Sequence, residues 1–401
     1  MQPVIILHHH EIILKGENRK FFERQLLRNV RTALGDFAAR CSVSGGYGRF
    51  IISLQDQTDV GAIVPRLQKV FGVANICTGL EVKPDLGAFC QVAEELLKER
   101  SFGTIKVETR RPDKNFPMKS MEVSAAVGAH LCTTFGVRAS MTAPDETIFI
   151  EIADSRAYVY RAKVEGAKGL PAGISGRVVA LLSAGFDSPV AAWQIMKRGA
   201  NAIFVHFHSM PYTSERSVEQ VRSLVGVLTE YQYSSKLYLV PFAEIQQEIV
   251  LKSPQPLRVI LYRRMMMRIA EQIAHGEKAE ALVTGEAVGQ VASQTLRNIR
   301  AIDAAVVLPV LRPLAGADKE ETIAHARKIG TAEISREPYD DCCSFLAPRK
   351  PETRANLREV DTAESSLDIP ALISKAMEHV SIEHYSSPTR EREELVGERV
   401  V

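Results

Sequence analysis

The chain has 401 residues, of which 45% are hydrophobic and 24% charged, and a formal net charge of +2. The length exceeds one ordinary hydrophobic core and predicts two or three domains, while the composition excludes a disordered or low-complexity chain. Its apolar runs are too short to span a membrane, and no basic-then-apolar leader opens it, so we expect a cytoplasmic protein without a membrane association.

The N-terminal part predicts an α+β domain of the ferredoxin-like kind, which we assign to residues 1–60. PVIILHHHEIIL is rich in β-forming residues and predicts a strand, and GRFIISL predicts another. Between them, RKFFERQLLRNVRTAL repeats apolar residues every fourth position, which predicts a helix. A further helix and the extended ANICTGLEVKP complete the order strand, helix, strand, helix, strand.

Residues 61–165 predict a second α+β module. LGAFCQVAEELLKER and SMEVSAAVGAHLCTTF are helical in pattern, and the strand GTIKVETRR lies between them. Two strand-like segments follow and predict a hairpin around Asp154 and Ser155. Residues 1–172 hold 23 basic and 19 acidic side chains, whereas the remainder holds 27 and 29. This bias permits a nucleic-acid surface in the first part.

A Gly- and Pro-rich linker, EGAKGLPAGISG, precedes the third domain, which we assign to residues 173–388. In this domain VVALL, NAIFVHFH, KLYLVPF and ALVTGE alternate with long helical patterns. The alternation predicts a doubly wound parallel sheet that binds its ligand at the carboxyl ends of the strands. The charged residues 389–401 predict a frayed or disordered tail.

The segment LLSAGFDSPVA joins the first strand of this sheet to a helix that starts near Pro189. Ser183, Gly185 and Ser188 can bring hydroxyl and backbone N–H groups together around an anion at the helix N-terminus. The Gly-Lys-Ser/Thr of a Walker loop is absent. The alternative is an ordinary turn between strand and helix.

A second group of polar residues occurs in TGEAVGQVASQTLRN, after the strand ALV. Gly285 permits a close backbone approach, and the amides of Gln290 and Gln294 could bind a nucleobase or ribose. The alternative is a helix start capped by Thr284. Upstream, Arg263 lies in a Met-rich helix and could pair with a phosphate.

Six cysteines form neither a disulfide framework nor zinc-site spacing. Cys342 and Cys343 are adjacent in a polar loop, and the nearby Arg349 and Lys350 would lower a thiol pKa. The alternative is that they are buried and behave as small apolar residues. His206 and His208, on one face of a strand end, could line a nucleotide pocket or be structural.

These segments in this order resemble the PP-loop ATPases and, over nearly the whole chain, the tRNA 4-thiouridine synthases (ThiI), which are tRNA uracil 4-sulfurtransferases. EIILKGENRKFFERQL is similar to the family's ferredoxin-like segment, KVETRRPDKNFPMKS to its THUMP domain, and PYDDCCSFLAP to its cysteine loop. The resemblance is to short members, which lack a rhodanese domain. The chain has Ala184 where the family usually has glycine, and an alanine can supply the same N–H only if its φ is negative.

The resemblance implies that ATP, with Mg²⁺, adenylates O4 of uridine 8 in tRNA, and that a protein persulfide then delivers sulfur. Cys343 matches the family's catalytic cysteine, and Asp187 would organise the metal or the turn. The implied ATP contacts are Leu181, Leu182, Ser183, Gly185, Ser188, His206, Phe207, Arg263, Gly285 and Gln294.

The resemblance also implies the partners. These are tRNA, a cysteine desulfurase as the sulfur donor and a second copy of the chain in a homodimer; some relatives also supply sulfur for thiamine synthesis. The basic residues that we expect on RNA phosphates are Lys15, Arg19, Lys20, Arg110, Arg111, Lys114 and Lys119. For each of them singly, the alternative is an ordinary solvated surface.

Two other functions are compatible with the motifs. One is a different PP-loop adenylating enzyme that modifies RNA, such as a 2-thiouridine thiolase, although such enzymes lack a THUMP-like front part. The other is a non-catalytic THUMP protein whose nucleotide domain has decayed, for which Ala184 is the hint. Gly185, Asp187 and Cys343 argue against decay.

Overall fold

The computed structural model describes residues 1–46, 48–56, 59–112, 115–153, 155–338, 342 and 346–387. These residues form two compact units, with the boundary between Leu170 and Pro171.

The first unit is built on one eight-stranded sheet with the order β2-β3-β1-β4-β8-β7-β5-β6. Its strands are β1 (Gln2–His8), β2 (Cys41–Gly46), β3 (Arg49–Leu54), β4 (Asn75–Val82), β5 (Thr104–Arg110), β6 (Arg138–Ala139), β7 (Glu146–Ala153) and β8 (Arg156–Glu165). Its helices are α1 (Arg19–Leu34), α2 (Val60–Gln68), α3 (Leu86–Leu97) and α4 (Ser120–Phe135).

Helix α1 has the limits that its apolar spacing predicts, and the predicted stripe is buried at Leu26, Val30 and Leu34. The first strand is shorter than predicted. It ends at His8 because its partner strands end their pairing there, with His8 opposite Arg49 in β3 and Asn75 in β4. The following Glu11–Asn18 segment is a 3₁₀ helix instead.

The predicted hairpin is confirmed by the antiparallel pairing of β7 and β8, which closes at Ala153 and Arg156. Helices α3 and α4 cover one face of this part of the sheet and enclose an apolar cluster that includes Phe89, Val127 and Val159. The edge strand β2, which pairs with β3, has no counterpart in the sequence analysis.

The second unit contains a six-stranded sheet with the order β13-β12-β9-β10-β11-β14. Its strands are β9 (Arg177–Leu181), β10 (Asn201–His208), β11 (Ser234–Pro241), β12 (Ala281–Val283), β13 (Val310–Leu311) and β14 (Ser381–Ser386). Its helices are α5 (Asp187–Met196), α6 (Arg216–Gln232), α7 (Ala243–Lys252), α8 (Arg258–Glu277), α9 (Leu296–Asp303), α10 (Lys319–Ile329), α11 (Ala332–Arg336), α12 (Leu357–Glu364) and α13 (Ile369–Glu378).

Strands β9 to β13 are parallel to one another, which confirms the predicted doubly wound sheet. From β9 the chain first adds β10 and β11 on one side and later β12 and β13 on the other. The strand order therefore reverses between β9 and β12, and ligands of such sheets bind at this point. Strand β14 adds an antiparallel edge that the sequence analysis did not predict.

The Met-rich helix α8 packs its methionines into the core, and Met265 is fully buried. Arg264 donates to Glu364 and Asp361 of α12, so it stabilises helix packing and does not face a ligand. Among the described residues, no helix combines the length and apolarity that crossing a membrane requires.

Gly79 in β4 provides a test of the sheet of the first unit. A Cβ at this position would lie 2.3 Å from the Val159 carbonyl oxygen and 2.7 Å from the Tyr160 Cβ. We therefore expect Gly79→Ala to lower the free energy of unfolding by about 1–3 kcal/mol, measured by chemical denaturation.

Gly128 is the matched control, since it lies inside α4 and a Cβ there would meet its nearest neighbour at 3.8 Å. Gly128→Ala should stabilise this unit by up to about 1 kcal/mol because alanine favours the helix. Equal stabilities for the two variants would contradict the close packing of β4 on β8.

Candidate functional site

A cavity of about 510 Å³ lies at the carboxyl ends of β9, β10 and β12. It is lined by all the residues predicted to contact ATP, namely Leu181, Leu182, Ser183, Gly185, Ser188, His206, Phe207, Arg263, Gly285 and Gln294. Asp187 and Cys342 also line it. The fold thus brings together residues that are more than 100 positions apart in the chain, at the reversal of strand order.

The loop after β9 is closed by its own serines. The Ser183 N–H donates to Ser188 Oγ at 2.8 Å, and the Ser188 hydroxyl lies 3.2 Å from the Ser183 carbonyl oxygen. Ala184 is fully buried and does not have a positive φ, so the alanine fits the loop without strain. Helix α5 begins without a side-chain cap, which leaves its first N–H groups available to an anion.

Gly285 determines how closely the loop after β12 approaches the loop after β9. A Cβ at Gly285 would lie 2.6 Å from the Ser188 backbone nitrogen and 2.7 Å from the Asp187 carbonyl carbon. Only glycine permits the loop after β12 to pack directly on the start of α5. The close approach predicted from the sequence is therefore an approach to protein backbone.

Asp187 is held by two side chains from later parts of the chain. Lys319 Nζ lies 3.0 Å from one of its carboxylate oxygens, and Gln290 Nε2 donates to the other at 3.0 Å. Lys319 is the first residue of α10 and lines the cavity, and the sequence analysis missed it. The capping box of Asp318 and Glu321 is visible in the sequence as a helix start, but it says nothing about contact with Asp187.

Glu286 is the second residue that the sequence analysis missed. Its buried carboxylate accepts hydrogen bonds from Arg263 at 2.9 Å and from Arg312 at 2.7 Å. Burial alone would raise the pKa of Glu286, but the two guanidinium groups outweigh it and hold that pKa below its usual value. Glu286 is therefore charged and fixes the Arg263 guanidinium at the cavity wall.

The buried polar atoms of the cavity wall that lack a hydrogen-bond partner among the described residues include His206 Nε2 and Gln294 Oε1. His206 Nδ1 lies 2.8 Å from the Leu182 carbonyl oxygen, and burial lowers the pKa of His206 to about 4. The ring is therefore neutral at pH 7, with Nδ1 donating to that carbonyl and Nε2 able to accept. Unsatisfied buried polar atoms are rare in folded proteins, and here they indicate a polar ligand.

Among the described residues, no group of three or more His, Cys, Asp or Glu side chains could hold a metal ion. Glu286 is buried between two arginines, whereas the Asp187 side chain, which Lys319 and Gln290 contact, is 24% exposed at the cavity. Magnesium in nucleotide sites typically takes one or two carboxylates, phosphate oxygens and several waters. Asp187 is therefore suited to bind a magnesium ion that enters the cavity together with a nucleotide.

The predicted catalytic Cys343 lies outside the described residues, so its role stays a prediction. Its neighbour Cys342 is half-buried and lines the cavity together with the nucleotide-loop residues. Cys342 thus lies at the same cavity as the loop after β9.

The predicted RNA-binding residues lie in the first unit, and several have intramolecular partners. Arg19 donates to Glu23 at 2.7 Å, and Lys15 lies 3.9 Å from Glu11. Lys20, Arg110 and Lys119 are exposed. Arg111 donates to the carbonyl oxygens of Phe116 and Met118 and so holds its own loop together. Lys114 lies outside the described residues, and contact with RNA stays a prediction for all seven.

Comparison with known proteins identifies the family. Three family models match: the ThiI ferredoxin-like domain over residues 4–77, the THUMP domain over 85–161, and Thiamine biosynthesis protein (ThiI) over 173–369. A probable tRNA sulfurtransferase of Caldanaerobacter subterraneus subsp. tengcongensis is 44% identical over 381 residues, covering 95% of this chain and 99% of the relative. The chain belongs to the tRNA sulfurtransferase family.

Other similar proteins agree with this assignment. A probable tRNA sulfurtransferase of Thermus thermophilus is 39% identical, with 94% of this chain and 93% of the relative covered. A solved 4-thiouridine synthetase, in complex with RNA and with bound ATP, is 35% identical with a TM-score of 0.86 and covers 96% of this chain and 100% of its own. PH1313 from Pyrococcus horikoshii, at 23% identity and a TM-score of 0.60, shares the fold. The tRNA sulfurtransferase fold predicted from the sequence is therefore confirmed.

The contact of Gly285 with α5 can be tested by adding one methyl group at this position. Gly285→Ala should push the loop after β12 away from Asp187 and Ser188 and weaken ATP binding by roughly 10-fold to 100-fold, corresponding to about 1–3 kcal/mol of overpacking. The measurement is the Kd for ATP by calorimetry, with the melting temperature recorded alongside.

Gly316→Ala is the matched control, because a Cβ at Gly316 meets no atom within 4 Å. It should bind ATP as the wild type does. Unchanged affinity in Gly285→Ala would show that the cavity does not depend on this contact.

Proposed function

We propose that this protein uses ATP to activate a uridine of tRNA, at position eight, and replaces its O4 oxygen with sulfur to give 4-thiouridine. The observation that carries the proposal is membership of the tRNA sulfurtransferase family over 95% of the chain, together with a cavity that is lined by both the nucleotide loop and Cys342. The ATP and RNA in the similar 4-thiouridine synthetase structure support the same reaction.

The cavity suits a nucleoside triphosphate. The uncapped start of α5 and Lys319 place positive charge at one part of the wall, and Arg263 supplies a further cation. His206 Nε2 and Gln294 Oε1 remain for the polar groups of the nucleoside. The ten lining residues predicted from the sequence are therefore proposed as the ATP site.

In the first step, O4 of the uridine attacks the α-phosphorus, the bond to the β-phosphate oxygen breaks, and pyrophosphate leaves. The N–H groups of α5 and the Lys319 ammonium would stabilise the charge of the departing pyrophosphate, since they are in place before the reaction. Magnesium, with Asp187 as its protein ligand, would neutralise phosphate charge when it is bound.

In the second step, a persulfide on Cys343 supplies the sulfur. Its terminal sulfur attacks C4, the C4–O4 bond breaks, and AMP leaves with the oxygen. A thiol reductant then cleaves the remaining S–S bond, so that the thiol is oxidised and 4-thiouridine is released. A cysteine desulfurase would load Cys343, and we expect the reaction to take place in the cytoplasm.

The first unit would bind the tRNA through its basic residues, as its THUMP match supports. We keep the division into residues 1–60, 61–165 and 173–388, with a tail at 389–401, as part of the proposal. A homodimer and a supply of sulfur to thiamine synthesis are further parts of it.

Reconstitution tests the sulfur step. Unmodified tRNA, Mg-ATP, cysteine and a desulfurase should give the near-ultraviolet absorbance of 4-thiouridine with the wild-type protein. Cys343→Ala should give none while still releasing pyrophosphate in a tRNA-dependent manner, because adenylation does not need the thiol.

Cys132→Ala is the control, since Cys132 lies in α4 of the first unit. It should retain both activities. Equal sulfur transfer by Cys343→Ala would remove the catalytic role from this cysteine, and the absence of pyrophosphate release from the wild type would refute the sulfurtransferase function.

Adenylation should depend on Lys319. Lys319→Met removes the ammonium beside the start of α5 and should slow tRNA-dependent pyrophosphate release by about 100-fold, the usual effect of deleting one preorganised transition-state donor. Lys328→Met, in the last turn of the same helix, should leave the rate unchanged. A rate within twofold of wild type for Lys319→Met would exclude Lys319 from the reaction.

A further inference from the structure

The cysteine loop is held by three buried side chains from three successive helices. Gln220 of α6 donates to the Glu337 carbonyl oxygen at 3.0 Å. Gln246 of α7 donates to the carbonyl oxygen of Cys342 at 2.7 Å, and the Tyr262 hydroxyl of α8 donates to that of Leu346 at 3.3 Å. The described chain is thus held at Glu337, Cys342 and Leu346.

Of the three contacts, the one at Cys342 has a donor that is itself oriented by a second buried side chain. Gln246 and Ser209 are fully buried, and the Ser209 hydroxyl donates to Gln246 Oε1. With its oxygen fixed in this way, the amide presents its NH₂ group to Cys342. Ser209 directly follows β10, whose end carries His206 and Phe207 on the cavity wall. A chain of two hydrogen bonds therefore connects Ser209, next to the end of β10, with Cys342.

The carbonyl that Gln246 binds belongs to the peptide group between Cys342 and Cys343. Because a peptide group is planar, a bond to its oxygen restricts the orientation of the whole group. Leu346 has a φ of 59°, a conformation that costs energy for a residue other than glycine, and its carbonyl is held by Tyr262. Side chains of α7 and α8 thus fix the carbonyl groups of Cys342 and Leu346.

We propose that Gln246, oriented by Ser209, is a positioning residue for sulfur transfer. It fixes the peptide before Cys343 relative to the nucleotide cavity, so that the persulfide meets C4 of the adenylated uridine. Correct placement of reacting groups strongly accelerates a transfer, and a displacement of about 1 Å can slow it about 100-fold. This inference rests on the proposed function.

The adenylation residues are held by other contacts. Asp187 is bound by Lys319 and Gln290, and Arg263 by Glu286. Loss of the Gln246 bond should therefore separate the two steps: adenylation continues, and sulfur transfer becomes slow. A purely structural role for Gln246 would reduce both steps together.

The test compares Gln246→Met with Gln232→Met under single-turnover conditions, with desulfurase-loaded protein, Mg-ATP, unmodified tRNA and a thiol reductant added together with the tRNA. Gln232 is the matched control: its buried amide bonds the Ala202 backbone at 2.9 Å and 2.8 Å, in the same unit but outside the cavity lining. Pyrophosphate release and 4-thiouridine absorbance are followed in the same reaction.

For Gln246→Met we expect pyrophosphate release and the KM for ATP within about twofold of wild type, and a rate of 4-thiouridine formation at least about tenfold lower. Gln232→Met should retain the wild-type ratio of the two rates. An unchanged ratio in Gln246→Met, or an equal loss of both rates in it, overturns the inference.

Should Gln246→Met fail to fold, Ser209→Ala takes its place, because it keeps the amide and removes only what orients it. The same ratio should then fall by about threefold, less than for loss of the bond itself. An unchanged ratio in this variant also overturns the inference. If the wild type releases pyrophosphate but forms no 4-thiouridine, it is the proposed function that fails, which the wild-type reaction alone reveals.

Discussion

The arrangement of the candidate site depends on the contact between Gly285 and the start of α5. Here the backbone of the loop after β12 lies so close to Asp187 and Ser188 that not even a methyl group would fit. The contact is possible because β9 and β12 are adjacent strands at the point where the strand order reverses. The cavity, its charged groups and its open N–H groups all follow from these two loops meeting.

The charges around the cavity are fixed before any ligand binds. Glu286 is held between Arg263 and Arg312, and Asp187 is held by Lys319. A buried carboxylate between two guanidinium groups remains ionised, so the arginines keep one orientation. Preorganised groups of this kind stabilise developing charge without the cost of reorienting at the moment of reaction. The carbonyl groups of Glu337, Cys342 and Leu346 are likewise held in advance, because buried amide and hydroxyl groups donate hydrogen bonds to them.

Much of the secondary structure could be predicted because it depends on local pattern. The limits of α1 and β10 follow from an apolar period of four and from a continuous run of β-forming residues. The predicted strands are wrong where the pairing with neighbouring strands determines whether a segment is extended. The residues after His8 are as β-prone as those before it, but both partner strands stop there, and the chain turns into a 3₁₀ helix. Strands β2 and β14, which the sequence analysis missed, lie at sheet edges. An edge strand needs only a weak β-forming sequence pattern, because its one neighbour provides the hydrogen-bond partners.

The sequence by itself determined the family, the doubly wound sheet, and the loop residues that line the cavity. A loop that binds a ligand through its own backbone is made of consecutive residues, so it is visible as a motif in the sequence. Only the tertiary structure decided the partners of those residues. Lys319 meets Asp187 across 132 positions, Gln246 meets Cys342 across 96, and Glu286 meets Arg263 across 23. Such pairs have no local signature, since a salt bridge or a buried amide contact depends on which helices pack side by side, and that is settled only when the whole sheet has formed.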